Sequence, residues 1–164
     1  MGVLYCLHTK TVPEERYFRY NMRAFCPLEL TRENFMLILS GARALSVFRQ
    51  NRLLRDLQAV APALQGLSAR WLHLVETDLT AAPAQLIDLL TYGDAFDDQE
   101  QGRLAVVVPR PGTISPWSSK ASDIARNTGL ASVQRIERAT AYWLAGAEDL
   151  DDATWQALTA KLHD

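Results

Sequence analysis

Short apolar runs alternate with amphipathic segments from Met36 onward, and this alternation limits the possible folds more than any other feature. Four of these runs have the composition of β-strands: residues 36–39, 69–75, 104–108 and 133–144. Helices are predicted to begin at capping or first-turn residues between or after them: Ser46, Pro83, Pro116, and Asp151 or Asp152. The predicted order from Met36 is therefore β-α-β-(α)-β-α-β-α.

This order predicts an α/β or α+β fold. Strands separated by helices suggest α/β crossovers, and a split β-α-β arrangement fits a ferredoxin-like β-α-β-β-α-β core sheet with helices on one face. Residues 1–35 show no clear period and contain both cysteines, so we predict an N-terminal extension followed by a domain at residues 36–164. One hypothesis is that Met36 is the true start; a lineage-specific arm is the alternative.

Composition excludes several classes of protein. Hydrophobic residues make up 48% of the 164, enough for a sizeable core. The net charge of -2 argues against a dedicated nucleic-acid binder, which usually carries a basic excess. No apolar run approaches the roughly 18 residues that span a bilayer. Two cysteines cannot form a structural zinc site unaided, so we expect a cytoplasmic, thiol-reduced protein without a metal centre.

The segment at residues 107–120 leaves a predicted strand, turns through three Pro or Gly residues and enters a predicted helix. Ser115 is a suitable N-cap, and Ser118 and Ser119 place hydroxyls in the first helical turn. Arg110 and Lys120 flank the turn, so this helix start would favour an anion or a carbonyl-rich partner. A loop that only reverses the chain is the alternative interpretation.

Other polar or aromatic residues fit structural roles. The helix after Ser115 is expected to turn a core face inward, comprising Trp117, Ala121, Ile124, Ala125 and Thr128. His73 lies in a predicted strand and is expected to be a structural histidine with its hydrogen bonds satisfied. Four carboxylates are expected to form a solvated loop without metal-binding spacing: Asp94, Asp97, Asp98 and Glu100.

Three stretches of the sequence resemble a known protein family. The stretch VVPRPGTISPWSSKASDIARNTGL, followed by VQRIERATAYW, closely resembles the N-terminal domain of the large, single-chain phosphoribosylformylglycinamidine synthases of purine biosynthesis. The upstream stretch MLILSGARALSVFRQNRLLRDLQ also looks like the start of that family. The resemblance covers residues 36–164 and does not extend to residues 1–35.

The resemblance implies a part of a larger enzyme. These synthases convert formylglycinamide ribonucleotide, ATP and glutamine to formylglycinamidine ribonucleotide, ADP, phosphate and glutamate. ATP and magnesium bind in a synthase region, and a separate glutaminase domain carries the nucleophilic cysteine. The resemblance therefore implies no catalytic residue, cofactor or metal in this chain, and no activity of the chain alone. Its partners would be the synthase core and the glutaminase.

A docking role follows from the same resemblance. In the family, this domain packs on the synthase core and helps to couple the two active sites. Its interface or substrate-proximal residues would be Arg110, Thr113, Ser115, Trp117, Ser118, Ser119, Lys120, Asp123, Arg135, Glu137 and Arg138. Two alternatives stay open at this point: a stand-alone bridging module, and a small anion-binding α/β protein that uses the loop at residues 110–120.

Overall fold

The computed structural model describes the backbone of residues 2–5 and of Phe35, and residues 36–110 and 112–163 in full. Five strands and four helices occur in these residues. The strands are β1 (Gly2–Tyr5), β2 (Phe35–Arg43), β3 (Gly66–Thr77), β4 (Arg103–Pro109) and β5 (Val133–Ala145). The helices are α1 (Val47–Gln58), α2 (Ala84–Leu90), α3 (Pro116–Asn127) and α4 (Asp152–Thr159).

The strands form one sheet in the order β1-β4-β5-β3-β2, and all neighbouring pairs are antiparallel. The α+β class is confirmed, and β2 to β5 with their helices are consistent with a ferredoxin-like core. One split β-α-β crossover is present: β3 and β4 both pair antiparallel with β5, so they run parallel to each other, and α2 joins them with β5 between them. Helix α1 joins β2 to β3, and α3 joins β4 to β5, so each of these helices links two antiparallel neighbours.

Helix starts follow the predicted capping chemistry. Ser46 precedes α1 and its hydroxyl accepts a hydrogen bond from the Arg49 backbone N–H, while Asp151 caps α4 through the Thr154 N–H at 2.9 Å. Pro83 precedes α2, which begins one residue later. Helix α1 is shorter than the apolar spacing predicts, since it ends at Gln58 and the chain then turns into β3.

The helices cover one face of the sheet, as predicted. One core cluster joins α1 and α4 to the strands through residues such as Leu57, Trp155 and Leu144. A second cluster joins α2 and α3 to the other end of the same face, around Leu86 and Ile136. Because successive strand residues point to opposite faces, both clusters use alternate positions of β3 and β5.

The opposite face of the sheet is also apolar and centres on the fully buried Trp143. The loop between α2 and β4 crosses this face, and Phe96 packs on Trp143 with 5.8 Å between ring centroids. The acidic loop is solvent-exposed at Asp94 and Asp97, as expected, but three of its carboxylates also form ion pairs with arginines of the sheet. Arg43 pairs with Asp97 and Asp98, and Arg70 pairs with Glu100, so these carboxylates fasten the loop to the sheet.

The predicted N-terminal extension lies outside the described residues except for β1 and the backbone of Phe35. Strand β1 pairs with β4 at the edge of the sheet, with Gly2 opposite Pro109, and the sequence did not indicate this pairing. Cys6, Cys26 and the hypothesis that Met36 is the true start also lie outside these residues. The division at residues 1–35 and 36–164 stays a prediction.

Candidate functional site

The loop that leaves β4 is a tight turn held by its own hydrogen bonds. The Thr113 backbone N–H and hydroxyl both donate to the Arg110 carbonyl, at 3.1 and 2.6 Å. Gly112 adopts a φ of 77°, a left-handed conformation that favours glycine. The sequence prediction of a turn at this position is confirmed, and Arg110 and Thr113 are exposed on it.

Ser115 connects this loop to both α3 and β5. Its hydroxyl oxygen accepts the Ser118 backbone N–H at 3.0 Å, which caps α3 as predicted. The same hydroxyl donates to Glu137 Oε1 at 2.9 Å. Arg135 on β5 reaches the Thr113 carbonyl at 2.8 Å and Glu137 Oε2 at 2.9 Å. The loop is thereby fixed beside the part of β5 that precedes Thr140, where β4 no longer pairs with β5.

Glu137 is the centre of this network and is 7% exposed. Burial raises the pKa of its carboxyl, but hydrogen bonds from Arg135, Ser115 and the Arg138 backbone N–H outweigh burial and lower the pKa below its usual value. The carboxylate is therefore ionised at neutral pH with its acceptor sites in use. Such a group positions its neighbours and is poorly suited to accept a proton from a substrate.

Ser118 lies inside the domain. It is fully buried, and its hydroxyl donates to the Ile136 carbonyl at 2.7 Å. Ser122, one turn later, accepts the Ile136 N–H through its hydroxyl at 2.9 Å. The two serines join α3 to β5 and present no surface to a partner.

The outer side of the same helix start is exposed. Ser119, Lys120 and Asp123 are all exposed, and Asp123 forms an ion pair with Arg126 one turn later. The predicted core face of α3 needs correction at two positions. Ile124 is 45% exposed and Thr128 is exposed, because the inward stripe is formed by Ser118, Ser122 and Ala125.

Trp117 and Arg138 belong to an aromatic cluster that the sequence did not indicate as a unit. The Arg138 guanidinium lies 4.0 Å from the Trp71 ring centroid and 4.7 Å from that of Trp117. His73 stacks on Trp117 with 5.8 Å between centroids and an interplanar angle of 21°. The neighbouring Tyr92 completes the set, which we call the Arg138 cluster: Trp71, His73, Tyr92, Trp117 and Arg138.

His73 is fully buried in this cluster. Its Nε2 is hydrogen-bonded to the Tyr92 hydroxyl at 2.9 Å, while its Nδ1 has no partner among the described residues. Burial, together with the positive charge of Arg138, lowers the pKa of the imidazole to about 4. Complete burial fits the expected structural role, but the expectation that the hydrogen bonds of His73 are satisfied is wrong for Nδ1.

Ser115→Ala tests the junction of loop, helix and strand. The substitution removes the cap of α3 and one hydrogen bond to Glu137, so we expect a loss of about 1–2 kcal/mol in the free energy of unfolding. Chemical denaturation measures it. Ser119→Ala is the matched control, because Ser119 is exposed and makes only a long, 3.4 Å contact to the Ser115 carbonyl. Equal stability of the two variants would contradict the assigned role of Ser115.

Comparison with known families gives one match that covers both the junction and the cluster. The model of the formylglycinamide ribonucleotide amidotransferase N-terminal family matches residues 70–164, more than half of the chain. The chain belongs to this family. The family resemblance read from the sequence is confirmed over that range, while residues 36–69 lie outside the match.

Membership of the formylglycinamide ribonucleotide amidotransferase N-terminal family identifies the chain as the N-terminal domain of a purine-biosynthesis amidotransferase. The matched range contains the whole loop, α3, β5 and all five residues of the Arg138 cluster. Within the described residues, no group of three or more His, Cys, Asp or Glu side chains is arranged to hold a metal ion. No helix in that part of the chain is long and apolar enough to cross a membrane.

Proposed function

We propose that the chain serves phosphoribosylformylglycinamidine synthase as a non-catalytic domain, which docks on the synthase core and supports coupling to the glutaminase. The observation that carries the proposal is the junction of loop, α3 and β5. There, Ser115, Arg135 and Glu137 hydrogen-bond to one another and fix a loop whose outer side chains face solvent. A fixed loop of this kind suits recognition by a complementary protein surface, because little conformational entropy is lost on binding.

The chemistry of the junction supports docking over catalysis. The Glu137 carboxylate and the Ser115 and Ser118 hydroxyls are already used in hydrogen bonds within the domain. The exposed residues there include Arg110, Thr113, Ile114, Ser119 and Lys120. ATP, Mg²⁺ and the glutaminase nucleophile are accordingly assigned to the remaining domains of the enzyme, which we take to be cytoplasmic.

The two alternatives use the same surface in different ways. A stand-alone bridging module would dock through it without a covalent connection. A small anion-binding protein would need free donors at the start of α3, yet the Ser118 N–H and the Ser115 and Ser118 hydroxyls already have partners within the domain. This internal use of the donors favours protein docking over phosphate capture.

The double variant Arg110→Ala with Lys120→Ala, introduced into the full-length enzyme that carries this domain, tests the proposal. Both side chains are exposed, so we expect a folded enzyme that releases more glutamate than it forms amidine product. The ratio of the two products, measured under saturating ATP and glutamine, reports coupling directly. The control Arg49→Ala with Arg52→Ala removes two exposed charges from α1, and its product ratio should stay at the wild-type value. An unchanged ratio in the first variant would contradict the proposal.

A further inference from the structure

The Arg138 guanidinium has an unusual environment for a half-buried charge. Two indole rings, Trp71 and Trp117, lie within 5 Å of it, and the two rings come from β3 and α3. Within the described residues, no carboxylate lies within ion-pair distance of this guanidinium. Ring faces stabilise a cation through their quadrupole but accept none of its five N–H donors in a normal hydrogen bond.

The nearest polar groups of the cluster do not supply the missing acceptor. The Glu137 carboxylate is used by Ser115, Arg135 and a backbone N–H. His73 lies close enough for the positive charge of Arg138 to lower its pKa, but neither ring nitrogen accepts a hydrogen bond from Arg138: Nε2 is hydrogen-bonded to Tyr92, and Nδ1 has no partner among the described residues. The edges of the Arg138 guanidinium therefore remain for an acceptor from outside the domain.

The surroundings of Arg138 have the composition of a protein-binding hot spot. Trp, Tyr and Arg are the residues most enriched among those that dominate binding energy. Tyr92 is 38% exposed beside His73, and Ile124 is 45% exposed two turns along α3 from Trp117. One half-buried cation between two indole rings, with exposed apolar and aromatic side chains on the neighbouring elements, suits a protein surface that brings a single negative charge.

We propose that Arg138, held between Trp71 and Trp117, is the anchor for one carboxylate side chain on the protein surface against which this domain docks. The inference rests on the proposed docking function and names the chemistry of the partner. A carboxylate matches a single guanidinium in charge and in planar, two-point geometry. A phosphate group carries close to two negative charges at neutral pH and would need a second cation in the cluster, which contains none.

The test uses isothermal titration calorimetry. It measures the affinity of this chain for a phosphoribosylformylglycinamidine synthase from which the N-terminal domain has been deleted. Arg138→Gln should weaken binding by about tenfold or more, because a charge-assisted, two-point hydrogen bond is lost. Arg138→Lys keeps the positive charge but loses the planar guanidinium with its paired N–H donors. Its affinity should lie between those of wild type and Arg138→Gln. The matched control is Arg126→Gln, an exposed arginine of α3 paired with Asp123, which should bind like wild type.

A second measurement separates failure of the inference from failure of the proposed function. The Arg138 Nε–H and the indole N–H signals of Trp71 and Trp117 are followed by nuclear magnetic resonance during a sodium acetate titration, with sodium chloride as the ionic-strength control. Saturable shifts with acetate, absent in Arg138→Gln, support the site even if the truncated enzyme is not bound. Equal affinities of wild type and Arg138→Gln would overturn the inference, as would signals that respond identically to acetate and chloride.

Discussion

Acidification from pH 7 to pH 4 is expected to remove about 3 kcal/mol from the free energy of unfolding through His73 alone. The imidazole is fully buried, and its pKa falls from 6.5 in the unfolded chain to about 4 in the folded domain. Between these two pH values, His73 is protonated in the unfolded chain and neutral in the folded domain. The stabilising contribution is therefore complete above pH 6.5 and is lost as the pH falls toward 4.

Urea denaturation at half-unit pH steps from 7.5 to 4, on wild type and on His73→Gln, isolates this contribution. Glutamine cannot titrate, so the variant should show a flatter dependence above pH 4.5. The lowered carboxyl pKa of Glu137 stabilises both proteins alike, and this contribution is lost only as the pH falls below the ordinary carboxyl value of 4.5, where the unfolded chain takes up the proton first. Parallel curves for the two proteins between pH 6.5 and 4.5 would contradict the assignment of the acid dependence to His73.

Gly41→Ala is expected to destabilise the domain by about 2–3 kcal/mol, because the added methyl group overfills the space beneath the Arg138 cluster. A Cβ atom at this position would lie 2.6 Å from His73 Cε1 and 3.1 Å from Trp71 Cβ. Tyr92 and the Trp117 ring hold the imidazole, so it cannot move aside freely. The glycine lies where the pairing of β2 with β3 is irregular, between Ser40 and Arg43.

Gly66→Ala is the matched control for this substitution. Gly66 also lies in the sheet, at the start of β3, but a Cβ there would be 3.7 Å from its nearest neighbour, the Ala145 side chain. We expect its stability to differ from wild type by less than about 1 kcal/mol. Chemical denaturation of both variants gives the comparison, and a Gly41→Ala protein as stable as Gly66→Ala would show that the close approach is not required.

Local signals in the sequence were sufficient for most of the described elements. Ser46, Ser115 and Asp151 each satisfy backbone N–H groups at a helix start, and this short-range chemistry can be read directly from residue type and position. The run of β-branched residues in β4 likewise predicted a strand from composition alone. Strand β1 was missed because its pairing with β4 joins segments about a hundred residues apart, which no local pattern reports.

The candidate site was only partly accessible from the sequence. Ser115 was identified by its capping position, and Glu137 by the family resemblance. The Arg138 cluster depends on sheet register, since His73 on β3 lies opposite Arg138 on β5, and on the packing of α3 above them. The same packing explains why Ser118 is buried and Ile124 is exposed. Helix α3 turns Ser118, Ser122 and Ala125 toward the sheet, so Ile124 faces solvent.

Complementation in trans tests the central claim most directly. This chain is mixed with the family enzyme lacking its N-terminal domain, and formation of formylglycinamidine ribonucleotide is followed with glutamine and ATP present. If the domain docks and couples as proposed, the chain restores glutamine-dependent synthesis, and Arg138→Gln restores it only at about tenfold higher concentration. A folded chain that binds the truncated enzyme without restoring synthesis would contradict the docking and coupling role.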